Sequence, residues 1–81
     1  MKIKLKYFAQ LRDLLHSEEN ELELSSSITV LELMPVLADR FPQIREHLKV
    51  ISIAVNNEYA TKDTLLQEGD EVALIPPISG G

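Results

Sequence analysis

The stretch KIKLKYFAQLRDLLHSEENELEL, residues 2–24, changes its hydrophobic period twice and largely decides the fold. Its first part alternates lysines with apolar residues, which is typical of a half-buried strand. The middle part, FAQLRDLLH, places Phe8, Leu11 and Leu15 at helical spacing, which predicts a short helix with one apolar face. NELEL then alternates again, so this stretch predicts a strand, a short helix and a second strand.

The charges of these two strands are complementary. Lys2, Lys4 and Lys6 share one face of the first strand, and Glu21 and Glu23 share one face of the second. We expect the strands to pair with lysines opposite glutamates, each pair contributing about 0.2–1 kcal/mol. A solvated face is the ordinary interpretation of the lysine row, and a basic docking patch is the alternative.

The main helix is predicted from TVLELMPVLADRF, residues 29–41, whose apolar residues recur at helical spacing. Thr29 and Glu32 have the spacing of a capping box, which marks the start of a helix. Pro35 lies beyond the first turn, where proline costs about 3 kcal/mol in a regular helix. We therefore predict a kink, or a helix whose regular part restarts at Pro35, and an end at Pro42.

The remainder of the chain predicts three further strands. VISIAV is a third strand, Asn56 and Asn57 form a turn, EYA is a short returning strand and EVALI is the last strand. Gly69, in the loop before EVALI, is expected to have a positive φ.

This order of elements predicts an α+β domain. A right-handed crossover through the main helix places the last strand beside the first. The result is the β-grasp, or ubiquitin-like, fold: a mixed sheet of four to five strands with the main helix packed on one face. We assign residues 1–75 to this domain and residues 76–81 to a flexible C-terminal tail.

Composition excludes several classes of function. The formal net charge is −5, which argues against a general nucleic-acid binder. The chain has no cysteine, hence neither a disulfide nor a thiol nucleophile. Its apolar runs are too short to span a membrane and no signal peptide is evident, so we expect a cytoplasmic protein that contacts neither membrane nor nucleic acid.

The domain shows no recognisable active site. His16 and His47 lack metal-ligand spacing, so we expect no metal site and place both near helix ends. The glycines do not form a phosphate-binding loop. The hydroxyls of Ser25–Ser27 have no evident base partner and suit turn and cap geometry instead. Any chemistry must therefore involve the tail.

The tail IPPISGG ends in two glycines. Pro76 and Pro77 favour a stiff polyproline geometry that points away from the sheet. Gly80 and Gly81 lack a Cβ and can pass through a channel too narrow for other residues. The terminal carboxylate has a pKa of about 3.3–3.7 and is a poor electrophile at neutral pH. Activation would require ATP, used by a partner enzyme to form an acyl-adenylate.

Three stretches carry a resemblance to a known family: YFAQLRDLL, VNNEYA and, most specifically, EGDEVALIPPISGG. Across essentially all 81 residues, the chain resembles the small, sulfur-carrier subunits of molybdopterin synthase, the MoaD family. The resemblance implies that an E1-like enzyme adenylates Gly81 with ATP and that a sulfur-transfer protein converts it to a thiocarboxylate. The tail would then insert into the large synthase subunit and donate sulfur for the dithiolene of molybdopterin.

The resemblance also implies roles for particular residues. Gly81 is the covalent site and Gly80 its required neighbour, while Pro76, Pro77, Ile78 and Ser79 line the inserted arm. Phe8, Arg12, Tyr59 and Ile75 are expected at the partner surface, although a core position is the alternative for Phe8. The chain would be the non-catalytic subunit of a transferase complex, typically a heterotetramer, with no bound cofactor of its own.

Three alternatives remain open. The thiazole-pathway sulfur carrier shares the fold and the terminal glycines but generally lacks a helix like AQLRDLLH. A ubiquitin-like modifier that conjugates to lysines is the second alternative. The third is an interaction domain with an inert tail, which would tolerate removal of Gly81.

Overall fold

The computed structural model describes residues 1–77. Its elements in chain order are β1 (Lys2–Tyr7), α1 (Ala9–Leu15), β2 (Glu19–Glu23), α2 (Val30–Arg40), β3 (Ser52–Val55), β4 (Glu58–Tyr59) and β5 (Glu71–Ile75). Two short 3-10 turns, Pro42–Ile44 and His47–Lys49, connect α2 to β3. The predicted order of helices and strands is confirmed.

The strands form one five-stranded sheet in the order β2-β1-β5-β3-β4. β1 and β5 are parallel neighbours, and the remaining pairs are antiparallel. The predicted contact between the first and last strands is confirmed, and with it the mixed sheet of a β-grasp fold. Because β5 is flanked by β1 and β3, the end of β5 leaves the sheet between two other strands.

The charge pattern of β1 and β2 agrees with their register. Lysines of β1 lie opposite glutamates of β2, as predicted: Lys2↔Glu23, Lys4↔Glu21 and Lys6↔Glu19. The Lys4 Nζ lies 3.4 Å from a Glu19 carboxylate oxygen, and the Lys6 Nζ lies 3.1 Å from one of Glu71 on β5. Both pairs are partly exposed, so each stabilises the sheet by about 1 kcal/mol or less.

The start of α2 is fixed by a reciprocal cap. The Glu32 N–H donates to Thr29 Oγ1 at 3.2 Å, and the Thr29 N–H donates to Glu32 Oε1 at 2.9 Å. Two backbone N–H groups are thereby satisfied at the helix N-terminus, where no intrahelical acceptor exists. The predicted capping box is confirmed.

Pro35 does not interrupt α2. The helix runs as a single element through this residue, so the predicted restart at Pro35 is wrong. Leu33 and Leu37, one turn apart on the same face, are both fully buried. Burying each contributes about 1.5–3 kcal/mol, which offsets the roughly 3 kcal/mol cost of an interior proline. The helix ends at Arg40, just before Pro42, as predicted.

The hairpin between β3 and β4 is tight. Asn56 has φ 51° and Asn57 has φ 70°, the paired left-handed conformation of a two-residue hairpin turn. The Asn56 amide donates to Asp70 Oδ1 at 2.9 Å and its oxygen accepts from the Glu71 N–H at 3.0 Å. Gly69 has φ 82°, as predicted. These bonds join the turn to the start of β5.

One core lies between the inner face of the sheet and the helices. It is aliphatic apart from Tyr7, whose ring packs edge-on against Phe41 with centroids 6.1 Å apart. Its fully buried members include Ile3, Leu5, Leu11, Leu22, Leu33, Leu37, Ile44, Leu66, Val72 and Leu74. None of the helices within residues 1–77 has the length and apolar character needed to cross a membrane.

Candidate functional site

The chain leaves the sheet at the end of β5. Leu74 lies opposite Tyr7 of β1, and Ile75 lies opposite Ser52 of β3. Pro76 is buried, so this residue packs with the body although we assigned it to the tail, whereas Pro77 is exposed. The predicted tail residues Ile78, Ser79, Gly80 and Gly81 lie outside the described residues.

Phe8 lies beside this exit. It follows Tyr7 directly, so it is level with Ile75 in the parallel pairing of β1 and β5. Its backbone is extended, with φ −130° and ψ 153°, and its side chain is 43% exposed. Because successive side chains of extended backbone alternate, Phe8 projects to the face opposite the buried Tyr7.

Phe8 therefore does not belong to the buried helical face that its spacing predicts. Phe8 occupies the N-cap position of α1 without a side-chain capping bond. The chain changes direction at the next residue, Ala9, which has φ 51°. Of the helix residues only Leu11 is fully buried. The core position considered as the alternative for Phe8 is also excluded by its exposure, so a large aromatic ring remains accessible to a partner.

Arg12 shares a shallow concavity with Phe8. The concavity has a volume of about 250 Å³ and is also lined by Lys6, Tyr7, Glu18 and Glu19. Within residues 1–77 the Arg12 guanidinium forms no ion pair, whereas Lys6 pairs with a glutamate. The structure thus brings two of the predicted partner residues together next to the end of β5.

Tyr59 lies on the same outer face of the sheet as Ile75. Tyr59 is opposite Ala54, and Ala54 is opposite Ala73. Ala73 and Ile75 are two residues apart on β5 and so share a face. Tyr59 is 78% exposed. The five apolar side chains on this face, which we call the outer patch, are Phe8, Ala54, Tyr59, Ala73 and Ile75.

Sequence reasoning missed Ala54 and Ala73. The signal was present in EVALI, residues 71–75, where both alternating sets contain apolar residues. Val72 and Leu74 fill the core, so Ala73 and Ile75 necessarily face away from it. Ala54 is only 7% exposed, so the accessible part of this face is formed mainly by Tyr59, Phe8 and the partly exposed side chains of β5.

The two histidines are placed near helix ends. His16 caps the C-terminus of α1 in a left-handed conformation with φ 54°, and His47 begins the second 3-10 turn. Among residues 1–77, no three His, Asp or Glu side chains are grouped in a way that could hold a metal ion.

Tyr7 is a titratable group whose pKa is changed by folding. Its side chain is buried below the outer patch, and burial raises the pKa of the phenol to about 12. Its hydroxyl has no hydrogen-bond partner among residues 1–77. A neutral phenol at this depth contributes no general base at physiological pH.

Comparison with known sequences identifies a matching family and relatives that share one name. The family model described as the ThiS family matches residues 5–81. The molybdopterin synthase sulfur carrier subunit of Arabidopsis thaliana is 36% identical over 81 residues, covering 100% of this chain and 84% of that protein. The subunit of the same name from Mycobacterium tuberculosis is 33% identical over 82 residues, covering 100% of this chain and 99% of that protein.

Solved structures show the same fold. A candidate molybdopterin converting factor, subunit 1, from Pyrococcus furiosus has a TM-score of 0.84 at 33% identity, with 96% of this chain and 99% of that chain covered. SAMP1 of Haloferax volcanii, a small archaeal modifier protein, has a TM-score of 0.83 at 26% identity, with both chains covered completely (100%).

A third similar structure contains a partner. It is a complex of subunits 1 and 2 of the molybdopterin-converting factor from Helicobacter pylori. Its matching chain has a TM-score of 0.73 and 26% identity, with 100% of each chain covered.

Proposed function

Because this chain belongs to the ThiS family, we propose that it is the sulfur-carrier small subunit of a molybdopterin synthase. The observation that carries the proposal is the match, over the full length of the chain, to two proteins of that name at 36% and 33% identity. These relatives confirm the resemblance to sulfur-carrier subunits that was identified from YFAQLRDLL, VNNEYA and EGDEVALIPPISGG.

The proposed covalent site is the α-carboxylate of Gly81. A carboxylate oxygen attacks the α-phosphorus of ATP, pyrophosphate leaves, and an acyl-adenylate forms on the E1-like enzyme. A hydrosulfide equivalent from a sulfur-transfer protein then attacks the activated carbonyl, and AMP leaves. The product is a thiocarboxylate, whose sulfur is a nucleophile. The chain supplies the carried group, and its partners supply the catalytic side chains.

The end of the domain suits this role. Ile75 is the last sheet residue, and Pro77 is already exposed. Pro76 is still buried, so five residues follow the buried part of the chain, and these can span about 17 Å when extended. The reactive terminus can therefore reach a buried site in a partner while the β-grasp domain stays on that partner's surface.

We assign the outer patch to the large subunit. Phe8 and Ile75 lie next to each other at the point where the tail leaves, and Tyr59 extends the same face. A partner that receives the tail must approach this end of β5. The Helicobacter pylori complex shows that a protein of similar fold assembles with a second subunit.

In that assembly, sulfur would pass from the thiocarboxylate to a cyclic pyranopterin precursor. The thiocarboxylate sulfur attacks a precursor carbon that bears an oxygen substituent, and that oxygen leaves as water while the C–S bond forms. A second water molecule then attacks the resulting thioester carbonyl, which leaves the sulfur on the precursor as a thiolate. The C–S bond to Gly81 breaks, and its carboxylate returns unchanged. Two sulfurs are needed for a dithiolene, which is consistent with two carriers per turnover in a heterotetramer.

A transfer assay tests the proposal. The thiocarboxylated chain is mixed with the large subunit and pyranopterin precursor, and dithiolene product is measured alongside the intact mass of the carrier. We expect product formation with return of the carrier to its carboxylate mass. Loss of the carried sulfur with none of it bound to the pterin, or retention of the thiocarboxylate throughout, would contradict the proposal.

A second candidate is a protein modifier. The similarity to SAMP1 at 26% identity and a TM-score of 0.83 favours it specifically. Conjugation would join the Gly81 carbonyl to a lysine amine, giving an isopeptide bond. Tagged chain expressed in its host and purified under denaturing conditions would then show a ladder of conjugates that is absent without Gly81.

The thiazole-pathway carrier is distinguished by the transfer assay. If the thiazole-forming enzyme replaces the large subunit, a thiazole-pathway carrier would transfer its sulfur to that enzyme.

A further inference from the structure

A second exposed apolar feature lies away from the tail, between α2 and the β3–β4 hairpin. It is a groove of about 420 Å³, which we call the α2 groove. Leu31 and Met34 line the groove on the side of α2, and Ala60 and Thr61 line it on the side of the hairpin. Leu31 is 53% exposed, a large side chain left in water at the start of a helix.

The apolar surface continues beyond this groove. A shallower concavity of about 290 Å³ runs along α2 past Pro35 and Ala38. The two share Met34, Leu48 and Lys49 as lining residues, so they adjoin along the helix, and we call the pair the channel. A channel of this form accommodates apolar side chains spaced along one face of an elongated segment.

The rim of the channel is positively charged. Lys49 and Lys62 line the groove, and Arg45 lines its continuation. Among residues 1–77, neither part is lined by Asp or Glu, although the whole chain has 13 acidic and 8 basic residues. Lys49 pairs with Glu46 at 3.2 Å, but both side chains are well exposed, so this pair is weak.

The backbone holds the rim in place. The Leu31 N–H donates to the Lys62 carbonyl at 3.0 Å, and the Val30 N–H donates to the Thr64 carbonyl at 2.9 Å. These bonds attach the loop that carries Lys62 to the first turn of α2. The groove is therefore a preformed feature, which reduces the ordering cost of binding.

We propose that the α2 groove docks an acidic amphipathic helix of a partner protein. The apolar channel takes the leucine-like side chains of such a helix, and Lys49, Lys62 and Arg45 face its carboxylates. A helix suits the site better than a strand, because β4 has only two residues, Glu58–Tyr59, and offers little edge for an added strand. The proposal does not depend on the chemistry of the tail.

The test uses two short helical probe peptides, each with leucines on one face. One carries glutamates on the other face and the matched control carries lysines there. Binding to the full-length chain is measured by fluorescence anisotropy. We expect the glutamate peptide to bind at least tenfold more tightly than the lysine peptide, and to bind less tightly as salt is raised.

Variants locate the binding site. Leu31→Glu should abolish binding while leaving the helix intact, since a carboxylate in the first turn is favoured by the helix dipole. Lys62→Glu should weaken binding about five- to tenfold. The matched controls are Leu14→Glu, at a leucine 39% exposed on α1, and Arg40→Glu, at an exposed residue outside the channel; both should bind normally.

Three results would overturn the proposal. Equal affinity for the two peptides would remove the role of charge, and no detectable binding of the glutamate peptide would remove the site. Concentration-dependent dimerisation that Leu31→Glu abolishes would assign the groove to a second copy of this chain instead. Circular dichroism of each variant establishes that a loss of binding is not a loss of folding.

Discussion

At the scale of single residues, the adjacent aromatic residues Tyr7 and Phe8 are placed on opposite faces of the sheet. Phe8 leaves the predicted helical face because its extended backbone projects it outward, beside Ile75. Its periodicity alone could not show this, since the helix begins one residue later and Ala9 turns the chain. Tyr7, its neighbour, is buried with an unpartnered hydroxyl. Adjacent aromatic residues thus have opposite roles, one in the core and one at the surface.

Replacing Tyr7 by phenylalanine should stabilise the fold. The variant Tyr7→Phe removes a buried hydroxyl that lacks a partner among residues 1–77, so we expect the free energy of unfolding to rise by about 1 kcal/mol. Chemical denaturation at neutral pH measures this. Tyr59→Phe, at a residue 78% exposed, is the control and should leave the stability unchanged. A clear destabilisation by Tyr7→Phe would show that the hydroxyl has a partner.

The pH dependence of stability should also depend on Tyr7. Its pKa is raised from 10.0 to about 12 in the folded chain, so the unfolded chain releases this proton first. Below pH 10 the phenol is neutral in both states and stability does not depend on it. Between pH 10 and about 12 the phenol ionises only in the unfolded chain, so the free energy of unfolding falls. Unfolding curves across that window should show a steeper loss for the wild type than for Tyr7→Phe. Parallel curves would contradict the assigned shift.

Phe8 should contribute to binding of the large subunit without being needed for folding. Phe8→Glu places a charge on the outer patch, and we expect affinity for the large subunit to fall by tenfold or more, because aromatic anchors dominate interfaces. Calorimetric titration measures the affinity. Leu14→Glu is the control, since Leu14 is similarly exposed at 39% against 43%. Equal effects of both variants would remove Phe8 from the interface.

At the scale of elements, local signals predicted the caps and turns but not the continuity of α2. Thr29 with Glu32, Asn56 with Asn57, and Gly69 each act through bonds or backbone angles within a few residues. Pro35 differs, because its cost is offset by burial of Leu33 and Leu37 in a core built from residues distant in sequence. Periodicity shows that Leu33 and Leu37 are apolar, but not that both become fully buried.

The capping box should contribute measurably to stability. Thr29→Ala removes the acceptor of the Glu32 N–H, so we expect the free energy of unfolding to fall by about 0.5–2 kcal/mol. Thermal and denaturant unfolding report this change. Ser25→Ala, in the exposed loop before the helix, serves as the control and should have little effect. If Thr29→Ala were equally silent, the cap would not stabilise α2.

At the scale of the whole molecule, the β-grasp topology was predictable because few arrangements satisfy the order of elements. The crossover rule placed β5 beside β1, and the complementary charges of β1 and β2 correctly predicted which residues lie opposite each other. The outer patch and the α2 groove were less accessible to prediction. Ala54 with Tyr59, or Leu31 with Lys62, come together only through pairings and backbone bonds between distant segments.

The central claim is that the Gly81 carboxylate carries sulfur. Its most direct test is the intact mass of the chain after incubation with ATP, an E1-like adenylating enzyme and a sulfur donor. A variant lacking Gly81 is treated in parallel. We predict a mass gain equal to replacement of one oxygen by sulfur in the full-length chain alone. An unchanged mass, with the adenylating enzyme active on another carrier, would contradict the claim.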